Sequence, residues 1–542
     1  MAPDRALLPD SIHHLPPGSR ALRATNPHQW LALTIGVRRK RALPGLTALD
    51  PQLPARRHYL TLKDLQDNYG SDPAAITRIE FFATSHHLVV VRDDRATATL
   101  ELAGTVANIN AAFGVSLLDY TQAQLGSFHA RTQEVSVPAE LQGDITGVFG
   151  LNNHAVLSRR PRLGTATRAS LAQASHPWFV PSDLAPIYSF PDADAHGQCI
   201  ALLEFGGGVE EEALSEYFRR IGMPKPDVSV IALGGVATDP LAEPEATGEV
   251  MLDVEVAGAL AGGARIAVYF STFDEKGVID AINAVINDTT HRPSVVSISW
   301  GWDENQPFSN GILWSPAAIV HVNQSLLAAA QLGISVCVAT GDDGAEAQLR
   351  DGRAHVNFPA TSPYVLAVGG TTLHVAASAR GATHVTEVVW NNGPGSGTGG
   401  GISDVTPRPA WQDGVVPLSI NPGNFAGRGI PDVAANADPQ TGYFVMSGGR
   451  YGVVGGTSAA APLWAALLAR ANARLGARVG NFNALLYQKF GPAGVLRDIV
   501  TGNNDTEGLL DGRFAAKAGW DACTGWGVPD GAKLVQALGG KP

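Results

Sequence analysis

Ser294-Val-Val-Ser-Ile-Ser-Trp300, then Ala317-Ala-Ile-Val-His-Val-Asn-Gln-Ser-Leu-Leu-Ala-Ala-Ala-Gln-Leu332, then Ile334-Ser-Val-Cys-Val-Ala-Thr340 is the stretch whose reading decides the fold. Two short β-branched apolar runs flank a longer Ala- and Leu-rich run with helical spacing, which reads as strand, helix, strand. Outward from it the same alternation continues. Cys199 to Phe205, Val228 to Leu233, Arg265 to Phe270 and Tyr364 to Val368 read as further buried strands, and Glu210 to Ile221, Glu249 to Leu260 and Val278 to Asn287 as helices. Strands that alternate with helices predict a parallel, doubly wound α/β sheet covered on both faces. Sites in such sheets lie outside the carboxyl ends of the strands, and Glu204, Trp300 and Asp342 fall at or just past predicted strand ends.

The N-terminal part has another texture. Trp30 to Val37 reads as a strand and Asp72 to Ala83 as a helix. Leu88 to Val91 and Ala96 to Leu102 form a hairpin across Asp93-Asp94, Val106 to Phe113 is helical, and Phe128 to Val137 is extended. That order fits a ferredoxin-like split βαβ module. Ser158-Arg-Arg-Pro-Arg-Leu-Gly-Thr-Ala-Thr-Arg168 is basic, irregular and Pro- and Gly-containing, as exposed, cleavable linkers are. The expected division is residues 1–157, a linker over 158–174, and a large α/β unit over 175–542.

Composition narrows the function. Of 542 residues 45% are hydrophobic and 16% charged, which allows a large core and excludes wholesale disorder. The formal charge of −11 argues against a nucleic-acid binder. No apolar run reaches the ~18 residues that span a membrane. Cys199, Cys337 and Cys523 are too scattered for a disulfide framework or a zinc site and read as small buried residues. Met1 to Asp10 has neither the basic nor the apolar region of a secretory signal.

Three segments carry chemistry. In Gly455-Gly-Thr-Ser-Ala-Ala-Ala-Pro462, ahead of the apolar helix Leu463 to Leu475, Ser458 opens a helix whose N–H groups and dipole could stabilise an oxyanion. Spacing alone does not separate this from an ordinary Ser/Thr N-cap. A nucleophilic serine needs a base. Of the histidines after residue 174 (His176, His196, His291, His321, His355, His374 and His384), none has a setting that marks it as one. Glu249 and Asp253, by contrast, share one face of a helix that is apolar nearly all round, with Glu255 nearly opposite. Two buried carboxyls side by side share a proton, and the raised member can act as base and then acid. The third segment, Thr340-Gly-Asp-Asp-Gly344, is by itself an Asp-rich turn, yet it places the Asp342 carboxyl at a strand end.

Glu249-x-x-x-Asp253, Gly341-Asp342-x-Gly344 and Gly456-Thr457-Ser458, in this order and spacing, resemble the sedolisins, the serine-carboxyl peptidases, and most closely their kumamolisin-like branch. The likeness extends through Gln198 to Gly208, Val295 to Gly301, Phe358 to Val365, Arg428 to Val433 and Gly519 to Gly525. It implies a subtilisin-like fold, residues 1–157 as an inhibitory prodomain removed autocatalytically within 158–174, and a monomeric extracellular endopeptidase acting on proteins at acid pH. By the same resemblance Ser458 is the nucleophile, Glu249 its base, Asp253 the partner sharing the proton, and Asp342 part of the oxyanion hole. Glu204 and Trp300 extend the network, and Ser299 to Gly301 pairs with substrate backbone. One structural calcium ion is implied, held by Asp498, Ile499, Lys517, Gly519 and Asp521, with Asp505 and Asp511 read as solvated acids. Lys517 stands where relatives usually have glycine, and Asp343 where they often have serine. A histidine-dependent subtilisin-type peptidase and an inactive peptide-binding relative are the competing readings. Activity at acid pH, at alkaline pH or at neither separates the three.

Overall fold

Strands made of unbroken Val, Ile, Leu and Ala have no polar face, so they must be covered on both sides. The computed structural model describes residues 4–123, 125–156, 162–163, 178–304, 314–347, 349–377 and 383–541. Most of the 158–174 linker lies outside the described residues.

The N-terminal module is an antiparallel sheet of β1 (Trp30–Val37), β2 (Val89–Asp94), β3 (Thr99–Thr105) and β4 (Ile145–Phe149), ordered β2-β3-β1-β4. Helices α1 (Pro73–Ser85) and α2 (Val106–Phe113) share its apolar core, Ile79 and Phe113 packing with Leu33, Ile35 and Leu102. Their N-termini are capped by Asp72 and Thr105, whose side chains accept backbone N–H bonds. This is the expected ferredoxin-like order with one correction. Phe128 to Val137 does not close the sheet: its first residues lie in Gly126–Ala130, which pairs with Leu118–Gln122 in a separate small sheet, and β4 takes the fourth place.

The larger unit holds an eight-stranded sheet. Its elements are β5 (Cys199–Glu204), α3 (Glu211–Ile221), β6 (Asp227–Ala232), α4 (Pro244–Leu260), β7 (Arg265–Phe270), α5 (Glu275–Asn287), β8 (Val295–Ile298), α6 (Pro316–Gln331), β9 (Ser335–Ala339), β10 (Leu366–Ala377), β11 (Thr383–Val389), β12 (Val433–Asn436), β13 (Tyr443–Ser447), β14 (Arg450–Gly455) and α7 (Thr457–Leu475). The order is β6-β7-β5-β8-β9-β10-β11, with β12 beside β10 and only β11 antiparallel. Helices α4 and α7 cover one face, α5 and α6 the other. Cys199, Cys337 and Cys523 are free and buried. No helix among the described residues is long and apolar enough to cross a membrane.

The N-terminal module docks on α5 and α6. Thr34 donates to Asp280 at 2.7 Å, and Lys276 lies 2.5 Å from Asp280 and 3.7 Å from Glu101. His321, on α6, packs edge-on against Phe149 at 4.9 Å and fills the space above Gly36. A Cβ on Gly36 would stand 2.1 Å from His321 Cε1, so only glycine admits the imidazole. On the far side of the sheet, the linker's Arg162–Leu163 pairs antiparallel with β14, opposite Gly455 and Val454.

Candidate active site

The carboxyl ends of the central strands meet the N-terminus of α7, and there the residues singled out by sequence come together. Glu204 ends β5, Trp300 follows β8 and Asp342 follows β9. Glu249, Ser299, Trp300, Gly301, Asp342, Asp343, Asn357, Thr457 and Ser458 line one cleft. Among the described residues no histidine lines it; His291 pairs with Asp288, His355 with Asp351, and His321 sits in the docking face. His176 lies outside the described residues.

Helix α7 starts at Thr457, six residues earlier than its apolar run suggests, so Ser458 occupies the first turn. Pro462 is tolerated inside the helix for a readable reason. It lacks the N–H that would bond the Ser458 carbonyl four residues back, and the Ser299 hydroxyl lies 3.2 Å from that carbonyl instead.

Helix α4 begins at Pro244, five residues ahead of the expected start, and carries Glu249 and Asp253 at 2% and 0% exposure. Asp253 meets the Ser299 hydroxyl at 2.7 and 2.9 Å and faces the Glu204 carboxyl, whose Oε2 accepts the Trp300 indole N–H at 2.9 Å. Burial first, and then the neighbouring carboxyls, push Glu204, Glu249 and Asp253 well above the ordinary carboxylate range. Ser458 lies beside Glu249 and eases that carboxyl's shift, but neither Glu249 oxygen meets a full hydrogen bond; Ser458 Oγ lies 3.4 Å from the Ser299 carbonyl. Adjacent but loose contacts of this kind tighten when substrate arrives. Glu255, across the helix, is also buried; it accepts the Met446 N–H at 2.9 Å and fastens α4 to β13.

Asp342, 7% exposed, faces the same cleft, and its Oδ1 accepts the N–H and the hydroxyl of Thr457 at 2.7 and 2.9 Å. Sequence reasoning missed this contact, and the Ser299 hydroxyl on Asp253 as well. Nothing in the spacing reports that two loops from distant segments meet there.

The C-terminal loop bonds its backbone N–H groups to the carboxyls of Asp498 and Asp521. Asp498 accepts the Gly519 N–H at 2.8 Å, and Asp521, 2% exposed, accepts N–H bonds from Lys517, Cys523 and Thr524 at 3.2, 3.0 and 2.9 Å. Asp511 is exposed as expected, but Asp505 is buried and bonded to the Leu510 and Gly512 N–H groups rather than solvated.

Fold and site together define a serine peptidase of subtilase architecture that carries its own activation domain. Residues 17–154 match the Pro-kumamolisin activation domain and residues 236–497 the subtilase family. The chain is 43% identical over 523 residues to kumamolisin of Bacillus sp. (strain MN-32), covering 94% of this chain and 92% of that one. Sedolisin of Pseudomonas sp. (strain 101) is 30% identical, with 80% and 73% covered, and human tripeptidyl-peptidase 1 is 28% identical, with 98% and 95% covered. The solved Pseudomonas sedolisin, complexed with pseudo-iodotyrostatin, superposes with a TM-score of 0.57 at 28% identity, covering 67% of this chain and 99% of that one. The chain belongs to the sedolisin family of serine-carboxyl peptidases, on its kumamolisin-like side.

Proposed function

We propose that this chain is a secreted, monomeric, acid-active endopeptidase that hydrolyses proteins through an acyl-enzyme on Ser458. Residues 1–157 act as an intramolecular inhibitor, 158–174 hold the processing site, and 175–542 form the peptidase. Glu249 takes the Ser458 proton during attack and returns it to the leaving amine, while protonated Asp253, backed by Glu204, stabilises the charge that Glu249 holds. Asp342, protonated in acid, donates to the oxyanion. One observation carries this reading: a helix-opening serine borders a buried run of three carboxyls in a cleft with no described imidazole. The pairing of Arg162–Leu163 with β14, three residues before Ser458, supports self-cleavage in the linker.

Two assays test it. Ser458→Ala proenzyme should stay full length on acidification while wild type shortens, and processing of the variant without another protease would refute self-cleavage. A denatured protein should be cut in acid into fragments of mixed length. Cutting only at alkaline pH would favour subtilisin chemistry, and release of tripeptides alone would place the chain with the tripeptidyl-peptidases.

The loop also suits one structural calcium ion. Among the described residues no three His, Cys, Asp or Glu side chains group to hold a metal. Calcium, however, accepts mixed shells, and Asp498 and Asp521 with the carbonyls of Ile499, Lys517 and Gly519 would supply one. When bound, the ion would neutralise the two carboxylates and fasten the loop. Chelation should therefore lower the melting temperature, because a ligand held only by the native state stabilises it. An unchanged melt in metal-free protein would remove the assignment.

A further inference from the structure

We infer that Thr457 is a positioning residue that decides which oxygen of Asp342 carries the acid proton. The inference rests on Asp342 being the oxyanion donor. Both the N–H and the hydroxyl of Thr457 reach Oδ1, at 2.7 and 2.9 Å; the Gly341 carbonyl is a second, longer acceptor for the hydroxyl at 3.2 Å, and the hydroxyl oxygen itself accepts the Gly341 N–H at 3.1 Å. Thr457 is 1% exposed, so these bonds form away from water. In a neutral carboxyl the carbonyl oxygen is the strong acceptor and the other oxygen carries the hydrogen. Two donors converging on Oδ1 make it the carbonyl oxygen and leave the proton on Oδ2. Oδ2 lies along Gly456, where φ is +128° and a Cβ would stand 2.7 Å from it. Any other residue at 456 would collide with the proton-bearing oxygen.

This arrangement has two consequences. The acid proton is aimed before the transition state forms, so no reorientation is needed during reaction. The same two donors also favour the carboxylate over the acid, drawing the Asp342 ionisation toward lower pH. Among the described residues, the titratable and hydrogen-bonding side chains that line the cleft with Asp342 include Glu249 from α4, Asp343 on its own loop, Ser299, Asn357, and the Thr457 and Ser458 hydroxyls from α7. Removing the Thr457 hydroxyl leaves the side chains of Glu249 and Asp343 in place, so a moved alkaline limb starts at Asp342 and reaches Glu249 only through the repulsion between the two carboxyls.

The test compares Thr457→Val, which keeps shape and backbone N–H, with Thr457→Ser, which keeps the hydroxyl. Thr457→Val should lower kcat by about three- to tenfold, the worth of one hydrogen bond between neutral groups, with KM little changed. Its alkaline limb of kcat/KM should move to higher pH, and Thr457→Ser should restore both features. If Thr457→Val does not fold, Thr457→Ala is read in the same way. A limb that stays in place in the hydroxyl-free variants, or a Ser variant as impaired as Val, overturns the proposal. Asp342→Asn is the control. A wild-type profile for that variant would overturn the reading of Asp342 itself, whereas an altered one beside a silent Thr457→Val would overturn only the role of Thr457.

Discussion

The cleft side of α4 and the docking faces of α5 and α6 bury titratable groups in opposite ways. On α4, Glu249 borders the Ser458 hydroxyl, and Asp253 takes the Ser299 hydroxyl and faces Glu204, which accepts the Trp300 indole N–H; among the described residues no cation pairs with these carboxyls. On α5, Asp280 sits against the Lys276 ammonium and the Thr34 hydroxyl, and on α6 His321 is enclosed by Gly36 and Phe149. Carboxyls without a cation hold their protons, whereas an enclosed imidazole gives its proton up: burial brings His321 down to about 4. On the proposed function, acid would favour the cleft and erode the contact that keeps the N-terminal module in place, leaving the chain closed at neutral pH and open in acid.

The largest effect should come from removing the base. Glu249→Gln keeps the shape of the side chain but cannot take the Ser458 proton, and should cost on the order of 10²–10⁴ in kcat. Its pH-jump release of the N-terminal module, followed in uncut protein, should match that of Ser458→Ala. A change in release would mean that the two regions are not separable.

Next comes stability. The raised carboxyls of the cleft bind protons that the unfolded chain has lost, so their cost to folding appears above about pH 4 and grows until their folded-state ionisation is complete. Asp253→Asn, neutral at every pH, should raise the melting temperature by about 2 °C at neutral pH and leave it unchanged in strong acid. An equal or lower melting temperature at neutral pH would contradict the account of a proton-sharing cluster.

His321 should show the opposite sign. Its docked ionisation lies below the ordinary imidazole value, so docking is strongest above about pH 6.5 and weakens as pH falls toward about 4. His321→Gln in the Ser458→Ala proenzyme should shift the acid midpoint of prodomain release, read by limited proteolysis, to lower pH. The shift should be small, because the Lys276–Glu101 and His13–Glu275 contacts also hold the module in place. An unmoved midpoint would mean that His321 does not set the release.

Of these two regions only the cleft was legible in sequence. Glu249 and Asp253 declare themselves by four-residue spacing in an apolar helix, and Ser458 by its small neighbours. The docking face carried no such mark. His321 sits in a run that reads as plain helix, and its partner Gly36 lies 285 positions earlier, in another module. Boundaries failed where one residue had two meanings. The expected helices start at Glu249 and Leu463, yet α4 runs through Gly248 and α7 through Pro462, where Ser299 stands by the carbonyl that proline leaves unbonded. Phe128 to Val137 alternates like a sheet strand, but β4 holds the edge beside β1.

The measurement that bears most directly on the central claim is the pH profile of kcat/KM for Asp342→Asn beside wild type. Asparagine keeps a donor at the oxyanion but cannot ionise. The variant should fold, retain activity reduced by less than the 10²–10³ typical of losing such a donor, and keep more of that activity as pH rises. The gain should be partial, because Glu249 and Asp253 must still share a proton. An alkaline limb in the wild-type position, with activity uniformly lowered, would mean that protonation of Asp342 is not what limits the proposed acid activity.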